Sequence, residues 1–558
     1  MNAMTNVYLK YQTRNIMKKN ILIGVFALII LCVVSSCKKY LDVVPDNIAT
    51  IDNAFAMRSQ AEKFLFTCYS YMPRDGELGQ DPAMLGGDEL WQVDELGGAF
   101  FNIARGFQNK VTPFGDNWGS MYRALRDCNI FLDNIGKVPD LKESERVRWT
   151  SEVKFLKAYY HFYLVRMYGP IPMMKVNLPI DADVNAVKVY RDPVDSCFSY
   201  IIKLIDEAYV SLPPTIDNIA RERGRITQLI ALSFKAKVLV TAASPLFNGN
   251  ADQISLKNPN GIALFNPEFS QAKWDSAAVA CKRAIDFAEL DGLKLYKYRP
   301  DFDQYSLSDT IKTQLSIRNS ITNKWNSEII WANTQTNTNQ LQSECTPFLD
   351  PAFLDQTATK GLHSPPFSIV EMFYSQNGVP INEDKNWNYA GRYTLKTAGY
   401  SDRKYIRSGK ETASLNFNRE PRFYADLAFD AGIWYGQGKY DDKKDLELFY
   451  VSAKFKEVQG YGKGGYGSVT GYFAKKLVHY QDVISQPGYT VISYPWTIMR
   501  LADLYLMYAE ALNESAGPGT EVYKYINLVR DRAGLKSVES SWTNFSTNPT
   551  KYQRFSSK

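Results

Sequence analysis

Three histidines, His161, His363 and His479, are the whole supply of imidazole in this chain, and they lie far apart. That is a poor supply for a histidine-built metal site or a Ser-His-Asp arrangement. His161 falls inside an aromatic helical stretch and reads as a packed core or rim residue. Paired acids are more plentiful, as in Asp88-Glu89 and Asp94-Glu95. Two carboxylates at a fixed separation could cleave a glycosidic bond, but sequence sets no separation, and solvated acids are the plainer reading. Gly460-Tyr461-Gly462-Lys463-Gly464-Gly465 formally fits G-x-G-x-x-G. A dinucleotide loop needs a strand before it and a helix after it, and the flanking "KFKEVQ" and "SVTGYFAKKL" read as strand or loop. What remains is binding chemistry. Trp91, Phe100 and Phe101 stand beside Asp88, Glu89 and Asn102. Trp387, Tyr389 and Arg392 stand beside Asn386 and Asn388, and Trp325 sits in "TNKWNSE". Rings edged with amides, acids and a guanidinium can hold a ligand that has flat apolar faces and polar rims. Local packing is the alternative for each ring. Trp118, Trp149, Trp274, Trp331 and Trp496 fall in helix or strand patterns and read as core. The pairs Arg419-Arg422 and Arg530-Arg532 read as helix caps or internal ion pairs.

One further residue carries chemistry of another kind. Met17-Lys18-Lys19-Asn20 is a short basic segment, and Ile21 to Val34 is an uninterrupted apolar run without charge. The run is short for a membrane-spanning helix, which needs about 20 residues. A basic segment followed by such a run is the layout of a secretory signal peptide. Val34-Ser35-Ser36-Cys37 then resembles a bacterial lipobox, in which cleavage before the cysteine leaves a thiol that carries diacylglycerol. Residues 1–36 are expected to be leader, with Met17 as the expected true start, and Cys37 is the expected lipid attachment.

The formal net charge is +6. Lys10, Arg14, Lys18 and Lys19 leave with the leader and no acid leaves with them, so the mature chain is close to +2. A nearly balanced chain without a long basic run gives no electrostatic footprint for nucleic acid. Cys68, Cys128, Cys197, Cys281 and Cys345 remain, unevenly spaced and odd in number, and read as buried free thiols rather than a disulfide framework or metal set. Aromatic residues make up 14% of the chain, tyrosine being the commonest, so rings are available for both core and surface.

The elements that must position these groups are mostly helical in the first half. "WGSMYRALRDCNIFLDNIG" places Met121, Leu125, Cys128, Phe131, Leu132 and Ile135 on one face. "ERVRWTSEVKFLKAYYHFYLVRMYGPIP" is stopped by Gly169-Pro170. "PVDSCFSYIIKLIDEAYVSLP" places Pro193 at a first helical position, and "TQLIALSFKAKVLVTAASPLFNG" sets alanines among large apolar residues. Helix pairs stacked as a tetratricopeptide-like solenoid fit this pattern. From about Gly292 to Pro495 the chain becomes irregular, with short apolar runs such as "EIIWANT", and loops of this kind often carry binding residues. Helices are expected again at Trp496–Asn513 and Thr520–Ala533.

Taken in order, several segments resemble the SusD/RagB family of outer-membrane nutrient-binding lipoproteins. They are Cys37-Lys38-Lys39-Tyr40-Leu41-Asp42, "NWGSMYRALRDCNIFLDNI", "EVKFLKAYYHFYLVRMYGPIP", "GRITQLIALSFKAKVLVTAASPLFNG", "NREPRFYADLAFDAG", "IMRLADLYLMYAEALNE" and "YINLVRDRAGL". The resemblance implies a mostly α, tetratricopeptide-like helix-pair scaffold with a loop-rich, mixed region carrying short strands. It divides the mature chain into an N-terminal helical region, 37–250, and a C-terminal region, 251–558. It implies a surface lipoprotein that holds oligosaccharide, or peptide, for a TonB-dependent SusC-like transporter, without catalysis and without cofactor, metal or nucleic acid. It also implies a C-terminal helix pair beyond "RAGL" that the sequence to Lys558 does not supply. For an oligosaccharide, Trp91, Phe100, Asn102, Trp325, Trp387, Tyr389 and Arg392 are the expected ligand contacts. The contrasting expectation is a lipid-anchored polysaccharide hydrolase or lyase, which would need a catalytic constellation.

Overall fold

The computed structural model describes residues 51–77, 81–92, 98–179, 181–300, 305–354, 358–462, 467–485 and 488–553. The leader and Cys37, Asp94-Glu95, part of the glycine-rich turn and the Phe100 side chain lie outside what is described.

Six long helices follow one another: α1 Arg58–Ser70, α2 Trp118–Asn134, α3 Glu143–Tyr168, α4 Val194–Tyr209, α5 Gln228–Ala243 and α6 Gln271–Leu290. Each packs on the next from α2 onward. Helix α3 is buried almost all round from Trp149 to Val165, its apolar faces interrupted by buried Glu152, Lys157 and His161, each with a hydrogen-bond partner. It ends at Gly169, whose φ of +72° favours glycine. Helix α5 begins where the Thr227 hydroxyl caps the Ile230 N–H. Its buried Ala231, Ala236, Ala242 and Ala243 face a partner, α6, that buries Ala277, Ala278, Ala284 and Ala288. Small residues on both sides let the pair approach closely. Pro193 stands one residue before α4 as its N-terminal flank.

The chain then leaves the stack and returns to it. Helix α7 Asp309–Thr322 leads to strand β1 Ile329–Asn333. Much later, β2 Trp496–Arg500 pairs antiparallel with β1, Ile329 opposite Arg500 and Asn333 opposite Trp496. Directly after β2, α8 Leu501–Ala516 packs against α6, followed by α9 Thr520–Arg532 and α10 Val538–Phe545. The expected helix from Trp496 is therefore corrected: Trp496–Arg500 is strand, and the helix starts at Leu501. The reason is pairing with a partner more than 160 positions away, which local periodicity cannot register.

The two-stranded neck encloses an excursion of residues 334–495, made of short helices and four further two-stranded sheets among the described residues. One large core spans α1–α6, the neck, α8 and α9. Smaller cores around Leu341, Trp434 and Phe473, and around Ile381, Phe423 and Tyr472, serve the excursion. Trp149, Trp274 and Trp331 are buried, while Trp118 and Trp496 are half-buried against the core. All five described cysteines are buried and free. No helix among the described residues is long and apolar enough to cross a membrane.

Candidate functional site

Arg419 organises the region that holds three of the seven expected contacts. Its buried guanidinium donates to the carbonyls of Leu415 at 2.8 Å, Val370 at 2.8 Å, Phe373 at 2.7 Å and Tyr374 at 3.3 Å. Asn418, with φ of +55°, turns the chain to aim it there. The expectation that this arginine serves the interior holds, and its bonds gather the C-terminal end of the short helix Phe367–Met372. That helix and the 387–393 loop line a cavity of about 720 Å³, with Glu371, Met372, Tyr374, Ile381, Tyr389 and Arg422 among its walls.

The loop is held from several sides. Buried Asp384 accepts from the Asn386 N–H at 2.8 Å and from the Asn377 amide at 2.9 Å. The Trp387 indole donates to the Phe417 carbonyl at 3.2 Å, and Leu415 N–H donates to the Arg392 carbonyl at 2.7 Å. The side chains of Tyr389, Arg392, Tyr393 and Glu371 then form one cluster. The Arg392 guanidinium lies 3.9 Å from the Tyr389 ring centre and 4.3 Å from that of Tyr393. Its Nε donates to Glu371 at 2.7 Å, and the Tyr393 hydroxyl donates to the same carboxylate at 2.5 Å. Burial alone would raise the Glu371 carboxyl, but the donors from Tyr393 and Arg392 outweigh it, and the group is held below the usual carboxylate range. Glu371 is therefore an acceptor at neutral pH, not a proton donor.

An aromatic ledge continues from this cluster. Phe367 is 47% exposed and Tyr393 is 56% exposed, and their ring centres are 6.1 Å apart, edge to face. Three positions before Phe367, Ser364 exchanges both backbone hydrogen bonds with Trp91, at 2.9 and 2.8 Å. The half-buried Trp91 ring meets buried Phe101 edge to face at 4.6 Å. Three residue steps span at most about 10 Å, so Trp91 adjoins the ledge through the 364–367 segment.

The structure thus brings Trp387, Tyr389 and Arg392 together, attaches Trp91 at one end, and adds Phe367, Glu371 and Tyr393. Asn102 is half-buried in the helix Gly98–Ala104 next to Phe101. Trp325 stands elsewhere, before β1, at a φ of +56° and with the Arg223 guanidinium 5.0 Å from its ring centre. No described contact joins it to the ledge. The added residues had a faint signal: Pro365-Pro366 forces an extended entry that leaves Phe367 on the surface.

The other chemical candidates resolve differently. His161 is fully buried. Its Nε2 accepts from the Met174 N–H at 3.2 Å, so Nδ1 is the donor to the Lys157 carbonyl at 2.8 Å. Burial pushes it down to about 3, so it is a neutral core residue. Asp88 and Glu89 are exposed. Arg532 is buried against Glu328 at 2.6 Å, and buried Arg530 donates to the Lys536 carbonyl at 2.9 Å and the Gly378 carbonyl at 3.0 Å.

Two family profiles match the chain. One, described as "SusD family", matches residues 327–553; the other, described as "Starch-binding associating with outer membrane", matches residues 39–240. The SusD-like protein P25 of Formosa agariphila is 23% identical over 536 residues, covering 93% of this chain and 83% of that protein. Among solved structures, one named BT4246 superposes with a TM-score of 0.74 at 26% identity, covering 89% of this chain and 87% of that one. A SusD-like protein from Bacteroides fragilis superposes with a TM-score of 0.64 at 21% identity, covering 91% and 84%.

Proposed function

Because the chain belongs to the SusD/RagB family, we propose that it is a carbohydrate-binding protein of the outer membrane that captures oligosaccharide on the Phe367–Tyr393–Tyr389 ledge. The observation that carries this reading is the ledge itself: the exposed rings of Phe367 and Tyr393 stand next to a cavity of about 720 Å³ that Glu371 and the half-buried Tyr389 line, and the Arg392 guanidinium is held on Glu371. Sugar rings offer apolar faces for stacking and hydroxyls for a carboxylate acceptor and a guanidinium donor, and rigidly held groups lose little entropy on binding. Trp91 and Trp387 extend the platform; no described contact links Asn102 or Trp325 to it, and the Phe100 side chain lies outside the described residues. In this reading Cys37 carries the lipid anchor, the protein sits on the cell surface, and it passes its ligand to a SusC-like TonB-dependent transporter. The helix stack and neck supply the scaffold, and the binding face lies mainly in the 334–495 excursion, with Trp91 added from the N-terminal region. The proposed role is binding, in which Glu371, held in its ionised form by Tyr393 and Arg392, accepts hydrogen bonds from sugar hydroxyls. The test is a panel of neutral oligosaccharides and peptides assayed for affinity and for product. Binding of a glycan without cleavage supports the proposal. Peptide binding alone replaces the ligand class, and cleavage in step with binding establishes the hydrolase or lyase reading instead.

A further inference from the structure

A small cavity, of about 120 Å³, lies where the neck meets the helix stack and shares no lining residue with the ledge cavity. Helix α3 lends it Tyr159 and Arg166, α5 lends Phe234 and Lys237, and β2 lends Trp496 and Thr497. Asp75, from the turn that follows α1, also lines it.

The walls are fixed. Gly76, with φ of +86°, lies against Trp496, where a Cβ would fall 2.3 Å from the ring. The buried Asp81 carboxylate accepts the Gly76 N–H at 3.2 Å, and the Asn333 amide of β1 donates to the Pro73 carbonyl at 2.9 Å. The turn that carries Asp75 is thereby tied to the neck. On the stack side the Phe234 ring centre lies 5.4 Å from that of Tyr159 and 5.3 Å from that of Phe162. Walls held this way leave little ordering to be done when a ligand enters.

The polar groups of this cavity are not paired with one another. Asp75 and Lys237 are half-buried, and neither side chain makes a hydrogen bond or an ion pair among the described residues. Exposed Arg166 has its guanidinium 5.5 and 5.9 Å from the Phe162 and Tyr163 ring centres, and it too makes no ion pair among the described residues. The Thr497 hydroxyl is buried without a partner. Burial, with Asp81 adding to it, pushes the Asp75 carboxyl up to about 7 against the pull of Arg166 and Lys237. Burial and Arg166 pull Lys237 down, against Asp503 and Asp75. Leu78, Gly79 and Gln80, next along the chain and outside the described residues, carry no charge. Opposite charges that stand apart in one cavity, each costly to bury alone, are both satisfied by a ligand that carries both signs. An anion alone would be set against Asp75, and a cation alone against Lys237 and Arg166. The volume corresponds to about four waters, too little for an oligosaccharide and enough for a molecule of about six heavy atoms.

We propose that this cavity binds a small zwitterion, an α-amino acid with a short side chain, its carboxylate on Lys237 and the Thr497 hydroxyl and its ammonium on Asp75. Exposed Arg166 stands at the entrance and adds to the pull on the carboxylate. The site is independent of the carbohydrate reading, because the two cavities share no residue. The experiment is calorimetric titration of the full chain with glycine, L-alanine and L-serine, and with acetate and methylamine as the two halves of the ligand. At least one amino acid binds, and each half binds at least about tenfold more weakly, because it leaves one charge of the cavity unpaired. Asp75→Asn and Lys237→Met each lose about tenfold or more in affinity for that amino acid. Neither change removes a bond that holds the fold, and parallel denaturant melts confirm that the variants are folded. Thr497→Val, close in shape, provides a third reading and loses severalfold. The proposal is overturned if none of the three amino acids binds, if acetate or methylamine binds as tightly as the amino acid, or if both charge variants bind it like the parent. Failure of the ledge reading looks different: neutral glycans fail to bind, whatever the amino acids do.

Discussion

Tyr389 and Trp387 are two positions apart and do different work. Tyr389 lines the cavity, and its ring carries the Arg392 guanidinium on one side. Trp387 is tied by its indole N–H to Phe417 and packs against the core of the excursion. An aromatic contact is worth about 0.5–1.5 kcal/mol beyond its buried area. Tyr389→Ala should therefore weaken glycan binding by about two- to tenfold with little change in denaturation midpoint. Trp387→Ala should lower that midpoint as well, and titration with a parallel denaturant melt separates the two effects. Identical affinity in Tyr389→Ala would move the site off the ledge. His161 makes a second residue-level prediction. Burial holds it at about 3 in the folded state, against about 6.5 unfolded. Between those values the unfolded chain binds the extra proton, so the contribution is complete above pH 6.5 and falls as pH drops toward 3. At about 1.4 kcal/mol per pH unit, going from pH 6.5 to 5 should remove about 2 kcal/mol. Asp75 and Asp482, raised mainly by burial to about 7, work in the opposite direction, with stability lost as pH rises toward 7. They are common to parent and variant and cancel in the comparison. His161→Phe should therefore be less stable at neutral pH but lose less on acidification. Equal acid losses in urea titrations of the two proteins would refute the assignment.

At the level of elements, the neck between β1 and β2 depends on one carboxylate. Glu328, fully buried, binds Arg500 at 3.2 Å and Arg532 at 2.6 Å and accepts the Tyr296 N–H. It thus joins β1 to β2, to α9 and to the segment around Tyr296. Removing one partner of a buried charge network leaves the other charges uncompensated, at a cost of about 3–5 kcal/mol. Glu328→Ala should show that loss in denaturant unfolding, and limited proteolysis should cut earlier within 334–495. A loss within experimental error would mean that Arg500 and Arg532 find water or new partners. The neck also marks the limit of what the sequence discloses. The helices of the stack are legible because each buries one face locally, as Met121, Leu125 and Cys128 do at helical spacing. "WTIMRLADLYLM" is rich in apolar residues on both sides of Arg500, so no local pattern divides its strand half from its helical half. The site is legible in the same partial way. Trp387, Tyr389 and Arg392 lie within six residues, and composition alone points to them. Tyr393 follows Arg392 directly in the chain, whereas Glu371 and Phe367 are brought to them by the fold around Arg419, which holds the end of their helix. Asp75, Lys237 and Thr497 of the small cavity come from segments well over a hundred residues apart, which no local pattern connects.

For the molecule as a whole, the proposed function divides stability, recognition and location among separate parts of the chain. The stack and neck hold the large core. The ledge lies in the excursion. The membrane anchor is placed by that reading at Cys37, which lies outside the described residues. If that division holds, a change at Cys37 should act on location alone. Cys37→Ala, expressed with its leader, should take up no labelled palmitate and should leave the outer-membrane fraction. The recovered protein should bind glycan with the affinity of the parent and unfold at the same denaturant concentration if the anchor acts on location alone. A single acyl chain gives only marginal membrane affinity, and stable anchoring needs more than one. Loss of the whole diacylglyceryl group should therefore release nearly all of the protein, unless a transporter holds it. Mild-detergent solubilisation followed by affinity purification of the variant distinguishes these cases: a membrane protein that co-purifies with it reports a protein partner. Palmitate uptake that survives in Cys37→Ala would refute the anchor assignment, and altered glycan affinity in the released protein would refute the separation of parts.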